Sequence, residues 1–438
     1  MSTNKIYNIG ILCPPAQGHY ATFIPLANYL KQMGHNIYFI SVADAKDYII
    51  NCGFEFITIG ELLFPLNSLE ARLNQRSKLS SMKALKLMME ELKDLEKSFI
   101  QDTPKVAKQY KLNLLISDQI LLSNKFIGLS CNLPLCSIAT AFPLNDDLYV
   151  PSLIPGIFKY STSYAGILLN KLTYMFKKFA MGNVLTLIQS YAKGINYKIK
   201  NLNDLLEVDL QISQIPSYLF YKFYHKPHNL HFVGPYINHR IQFNKLSNPH
   251  NDLPIVKYNN FDTKQTNIFI SLGTMQNGCI DIYKSIITQA HDISANFIIS
   301  VGRSYEELKH LALPNHIKIY EKVDQLTIIQ SCDLVITHGG LNSILESIYF
   351  AKPMIVIPIT GDQPANANLV EYFNLGLILT IKNLYKNQLQ NKILKLLQSK
   401  IHKDSETIAN KLQNTNFLEI TYNLILEAVE KYDNKRIR

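Results

Sequence analysis

The 438-residue sequence contains no tryptophan, so no indole platform is available to a flat ligand. Cysteine is sparse as well: six residues, at positions 13, 52, 131, 136, 279 and 332, of which only Cys131 and Cys136 lie close together. No zinc-type spacing accompanies that pair, which argues against a zinc module or a disulfide framework and predicts reduced, buried thiols in a reducing cytoplasm. Long hydrophobic runs are missing too. None reaches the ~20 residues of a membrane span, and the apolar residues 6–13 run into Pro14-Pro15 rather than into a signal-peptide pattern. Acidic residues are absent from 148 to 203, a segment holding Lys159, Lys171, Lys177, Lys178, Lys193, Lys198 and Lys200.

What is present is globular. Apolar residues make up 47% and charged ones 18%, and the length exceeds one ordinary core, which predicts two domains. The formal charge of +10 attracts anions, nucleotides and acidic membrane surfaces among them. Nucleic acid is not an expected partner, because the lysines are dispersed and no recognised motif accompanies them.

The pattern alternates strand and helix in both halves. Residues 8–13, 37–40 and 112–117 read as buried strands, and residues 20–33 and 79–99 as helices, the first closed by Gly34. A polar stretch with few periodic apolar residues, 238–260, reads as the linker. Strands resume at 267–272, and a last helix spans 417–432.

The most informative segment is 331–368. Leu334-Val-Ile-Thr337 is a buried strand; it runs into His338-Gly339-Gly340; helical spacing starts at Leu341; the next strand is 354–357. This is a βαβ unit with its glycine turn at a carboxyl sheet edge, where open α/β sheets bind ligands. Gly339 and Gly340 open the helix N-terminus to a phosphate. Asn342, Ser343 and Glu346 project from the first turns; Ser343 suits a phosphate oxygen and Glu346 a vicinal diol such as a ribose. The plainer reading is a capped helix whose polar residues satisfy backbone amides. Asp362-Gln363, after the next strand, adds two groups suited to sugar hydroxyls.

A second constellation lies near the start. Pro14-Pro15-Ala-Gln-Gly18-His19 joins the first strand to the first helix, and Asp118 ends the strand before it at a carboxyl edge. A neutral imidazole takes a proton from an alcohol near neutral pH, and a carboxylate on its other N–H holds the tautomer. The plainer alternative is that both residues cap helices.

HGGLNSILE followed by GDQPANA resembles the donor signature of family 1 nucleotide-sugar glycosyltransferases, in the bacterial macrolide and zeaxanthin glycosyltransferase-like branch. The resemblance touches both halves of the chain. It implies a GT-B fold: an α/β protein with two Rossmann-like domains facing across a cleft and a C-terminal helix crossing back to the first. The domains are then residues 1–237 for the acceptor, a linker 238–262, residues 263–412 for the donor, and 413–438 for the returning helix. His338 and Ser343 are implied at the diphosphate, with Gly273-Thr274 on its other side, and Gly340 and Asn342 are counted among the donor-binding residues. Glu346 is implied at the ribose, and Asp362 and Gln363 at the transferred sugar. Plant members stack uracil on a tryptophan that this chain lacks; here Val323 to Gln325 are expected to hold the base by backbone and apolar contact. His19 and Asp118 resemble the family's catalytic base and its partner.

The implied reaction is an inverting transfer of a hexose, glucose by expectation, from a UDP-sugar to a hydroxyl of a lipophilic small molecule. No cofactor is expected, and no Asp-x-Asp motif calls for a metal. A non-catalytic helper, or a different GT-B sugar-nucleotide enzyme, is the alternative. Residues 148–203 suit an aromatic wall around the acceptor or a basic surface on anionic lipid, hence a cytoplasmic protein with peripheral contact at the inner membrane face. Core-facing helices with solvated lysines are the plainer reading of that segment.

Overall fold

The structure, a computed structural model, describes residues 5–77, 81–153, 159–199, 201–246, 265–273, 280–399 and 401–437. It divides into two compact units. One comprises residues 1–152, 161–243 and 416–438; the other comprises 153–160 and 244–415.

The first unit is built on a seven-stranded parallel sheet. Its strands are β1 (Asn8–Leu12), β2 (Asn36–Ser41), β3 (Glu55–Thr58), β4 (Leu114–Asp118), β5 (Leu135–Ala139), β6 (Leu210–Ser213) and β7 (Leu230–Phe232). The central strands are apolar runs buried on both faces, as a parallel sheet covered by helices requires. The spatial order is β3-β2-β1-β4-β5-β6-β7. The chain therefore moves outward from β1 and returns to its other side at β4, which leaves a topological switch point between those two strands.

The second unit repeats the plan with six parallel strands, β8 (Asn267–Ser271), β9 (Asn296–Ser300), β10 (Ile317–Tyr320), β11 (Leu334–Thr337), β12 (Met354–Val356) and β13 (Gly376–Ile378). Their order is β10-β9-β8-β11-β12-β13, with the switch point between β8 and β11. Ile268, Ile270, Phe297, Ile299, Leu334, Ile336 and Ile355 from the strands meet Ile286, Ile393 and Leu396 from covering helices in one core.

Several elements differ from the sequence reading. The helix expected at 79–99 is Ser81–Gln109 and continues through Pro104. A proline inside a helix removes one backbone donor, but the apolar face goes on, with Val106 and Ala107 buried. The segment read as linker opens with a helix, Ile237–Leu246, and its remainder lies outside the described residues. The last helix is Phe417–Ile437; it belongs to the first unit and packs on β6 and on the helix Gln17–Gln32. Tyr236 and Thr421 share a buried hydrogen bond of 2.9 Å that pins it there. The thiols of Cys13, Cys136 and Cys332 are buried and free, but Cys52 and Cys131, also free, are only half-buried; Cys279 lies outside the described residues. No helix among the described residues is long and apolar enough to cross a membrane.

Candidate functional site

In the first unit the chain leaves β1 through Pro14 and Pro15, and Ala16, with extended backbone angles, starts the helix Gln17–Gln32. His19 thus stands in the first helical turn rather than in the preceding loop, its N–H donating to Ala16 O at 3.0 Å. Its Nδ1 lies 2.6 Å from Oδ2 of Asp118, the last residue of β4. These two residues flank the switch point. The Thr140 hydroxyl donates to Asp118 Oδ2 at 2.7 Å and lies 2.8 Å from His19 Nδ1. The other carboxylate oxygen accepts Ile120 N–H at 2.9 Å. Asp118 is enclosed, its side chain 2% exposed, whereas the His19 side chain is 21% exposed. A carboxylate held this way keeps the proton on Nδ1 and leaves Nε2 as the basic nitrogen.

The loop after Asp118 has its own anchor. Asn124 Nδ2 donates to Asp118 O at 2.7 Å. Glu96, fully buried on the helix Ser81–Gln109, accepts Leu122 N–H at 2.6 Å and Ser123 N–H at 3.1 Å, and also the Ser123 hydroxyl. Burial outweighs these donors and raises the Glu96 carboxyl pKa to about 7. The folded protein therefore holds this proton more tightly than the unfolded chain does. The group's stabilisation is complete below its unfolded pKa near 4.5 and is lost as pH rises through about 7. Chemical denaturation between pH 4.5 and 8 is expected to show that loss, on the order of 3 kcal/mol, and Glu96→Gln to flatten it. An unchanged pH slope in that variant contradicts the assignment.

In the second unit the expected donor residues gather at the other switch point. His338 follows β11 and Gly273 follows β8, in adjacent strands. The His338 ring lies against both Gly273 and Gly340, where a Cβ would come within 2.7 and 2.8 Å of Nε2, respectively. Exclusion of water lowers the His338 pKa to about 4, so the ring is neutral at pH 7. Tyr283 sets the end of β8 by accepting Leu272 N–H at 3.1 Å and donating to Ser300 O at 2.9 Å.

The helix Leu341–Tyr349 begins at Gly340, with Asn342 half-buried in its first turn and Ser343 and Glu346 buried. Gln325 opens the helix Gln325–Ser331 and reaches both, its Nε2 donating to Glu346 Oε2 at 2.6 Å and to Ser343 Oγ at 3.2 Å. Val323 lies buried just ahead of that helix. Past β12, Asp362 Oδ2 accepts Asn366 Nδ2 at 2.8 Å, and the same amide donates to Gly339 O at 2.9 Å. Asn366 thereby ties Asp362 to the glycine turn. Gln363 is committed at one end, Oε1 accepting Ile359 and Thr360 N–H at 2.8 and 2.9 Å. Thr274 lies outside the described residues.

Residues 276–420 match the glycosyltransferase family 28 C-terminal domain. The zeaxanthin glucosyltransferase of Pantoea ananas is 26% identical over 371 residues, which is 83% of each chain. An uncharacterized UDP-glucosyltransferase of Bacillus subtilis (strain 168) is 23% identical across 97% of this chain and 98% of its own length. The crystal structure of the kitacinnamycin glycotransferase has a TM-score of 0.74 at 14% identity, covering 97% of this chain and 100% of that one. These matches support a family 1-like bacterial glycosyltransferase. The chain is an enzyme with the GT-B fold.

Three residues of the glycosyltransferase's candidate sites were not singled out from sequence. Thr140 follows β5, and only the strand order puts it beside Asp118. Glu96 sits among Glu90, Glu91 and Asp94 on a helix whose charged positions all read as solvated. Asn366 is part of the quoted GDQPANA run, but its bridging role depends on where the glycine turn folds back.

Proposed function

We propose that this enzyme moves a hexose, glucose in the sense of its named relatives, from a UDP-sugar to a hydroxyl of a lipophilic small molecule with inversion at the anomeric carbon. The observation that carries the proposal is the 2.6 Å contact between His19 Nδ1 and Asp118 at the sheet switch point, closed by Thr140. His19 Nε2 takes the proton of the acceptor hydroxyl. The oxygen forms the new bond to the anomeric carbon as the bond to the diphosphate oxygen breaks, and the nucleoside diphosphate leaves from the opposite face. Asp118 stabilises the imidazolium that forms.

The first unit, residues 1–237 in this reading, serves the acceptor, and residues 263–412 hold the donor. Neutral His338, the Ser343 hydroxyl and the helix N-terminus at Gly340 stabilise charge on the departing diphosphate. Glu346, held by Gln325, accepts from the ribose hydroxyls. Asp362 and the amide end of Gln363 meet the transferred sugar, and Val323 to Gln325 border the base. The enzyme works in the cytoplasm and touches the inner membrane face peripherally.

The test is mass spectrometry of UDP- and dTDP-sugars against carotenoid, polyketide, phenolic and sterol acceptors. The expected product is a single hexoside with inverted configuration, from a UDP donor, at a rate unaffected by EDTA. Retention of configuration overturns the single displacement, and loss of activity with EDTA overturns the metal-free reaction. UDP binding without transfer to any acceptor points instead to a helper protein.

A further inference from the structure

The helix Tyr164–Ala180 is amphipathic in the reverse of the usual sense. At 100° per residue, Asn170, Thr173 and Lys177 fall on one side, and all three are buried. Tyr164, Leu168, Leu172, Met175 and Phe179 fall on the opposite side, exposed by 86, 54, 54, 68 and 84%. This contradicts the plainer sequence reading, in which the apolar positions face the core and the lysines face water.

The reversal is built by hydrogen bonds on the inner side. Asn170 Nδ2 donates to Leu148 O at 2.9 Å, and Lys177 Nζ donates to Leu144 O at 2.9 Å and pairs with Asp146. Tyr174 donates its hydroxyl to Asp147 O at 2.7 Å and accepts Asp147 N–H at 3.0 Å. Asp147 itself accepts the backbone N–H groups of Tyr149, Tyr224 and His225 at 2.8–2.9 Å, so the platform under the helix is firmly braced. Ser163 caps the N-terminus by accepting Gly166 N–H at 3.2 Å. Turning the helix over would bury its leucines but strand Lys177 and Asp146 without partners. The apolar face is therefore held outward, and a continuous exposed patch of this kind marks an interaction surface.

We propose that this helix lies flat on an anionic lipid bilayer, with its apolar face among the outer acyl carbons and Lys171 and Lys178 at the phosphate level. Charge selects that occupant. Lys171 and Lys178 are exposed along one edge of the apolar face, residues 148–203 contain no acid at all, and the whole chain carries +10. A second copy of this chain would present the same positive face and repel it, whereas an anionic leaflet attracts it. An apolar stripe with a basic flank is the composition of helices that rest in the interface plane. The inference supplies a structural means for the peripheral contact proposed above and rests on that reading only for its purpose, access to lipophilic acceptors.

The experiment is co-sedimentation of the full chain with vesicles of pure phosphatidylcholine and of phosphatidylcholine with phosphatidylglycerol, without donor or acceptor. Binding is expected only with the anionic vesicles and is expected to weaken with salt. Lys171→Gln with Lys178→Gln is expected to lower it about 30-fold. Leu168→Ser, Leu172→Ser and Phe179→Ser together are expected to lower it at least about a hundredfold. Because these side chains are exposed, unchanged thermal unfolding and unchanged transfer to a water-soluble acceptor are expected in both variants. Equal binding to both vesicle types, full retention by the triple variant, or a lipid-free dimer that the triple variant dissociates overturns the proposal. Vesicle binding in a chain that transfers no sugar leaves this inference standing and removes the reading of the reaction instead.

Discussion

Replacing His19 with alanine is expected to lower glycosyl transfer by about a thousandfold or more, the upper part of the range for removing a positioned general base. Affinity for UDP is expected to change less than about twofold, because the residues proposed to bind the donor belong to the other unit and keep their own contacts. The argument rests on position. Among the candidate residues of the first unit, His19 is the more exposed, and its Nδ1 side is occupied by Asp118 and Thr140. Alanine removes the proton acceptor without opening the core. Asp118→Asn provides the matched control: its amide can donate to Nδ1, which favours the wrong tautomer, so activity is expected to fall with the UDP affinity again preserved. Calorimetric titration with UDP and initial rates on the same preparations separate binding from chemistry. A transfer rate unaffected by His19→Ala removes the base assignment.

Gly340→Ala is expected to weaken nucleoside diphosphate binding by roughly 10- to 100-fold, equivalent to about 1–3 kcal/mol of overpacking. Gly340 has φ −61°, a conformation open to any residue, so the substitution carries no backbone penalty of its own. The effect comes from the ring beside it. The new Cβ would sit 2.8 Å from Nε2 and 2.9 Å from Cε1 of His338, and Gly273 already approaches the same ring atoms. At that distance either the ring or the helix N-terminus must shift at the place where the diphosphate is proposed to bind. Circular dichroism is expected to show an intact fold, with the loss confined to titration with UDP or dTDP. Wild-type affinity in this variant means that the diphosphate does not use this turn.

The unit around β11 was legible almost to the residue. The strand Leu334–Thr337 and the helix starting at Leu341 fall where the apolar spacing puts them, because a buried parallel strand and an amphipathic helix leave unmistakable local patterns. His19 and Asp118 were legible beside strand ends, but two supporting residues were not: Thr140, which contacts both, and Glu96, which anchors the loop after Asp118. Thr140 and Glu96 lie 22 residues apart from Asp118 in opposite directions along the chain, and nothing local distinguishes them from ordinary polar residues. The helix through Pro104 escaped the reading because tertiary packing overrode a local breaker.

By itself, the sequence determined the repeated strand–helix order, the glycine turn of the second unit, and the residue types available at the carboxyl edges of the strands. These are local properties, set by periodicity and by the conformational freedom of glycine. Tertiary structure alone decided which strands became neighbours, and so which carboxyl ends lie side by side at the switch point of each sheet. It also decided which way the helix Tyr164–Ala180 faced. Periodicity specifies that a helix has two sides, but the hydrogen bonds of Lys177, Asn170 and Tyr174 to the loop beneath choose the side that is buried.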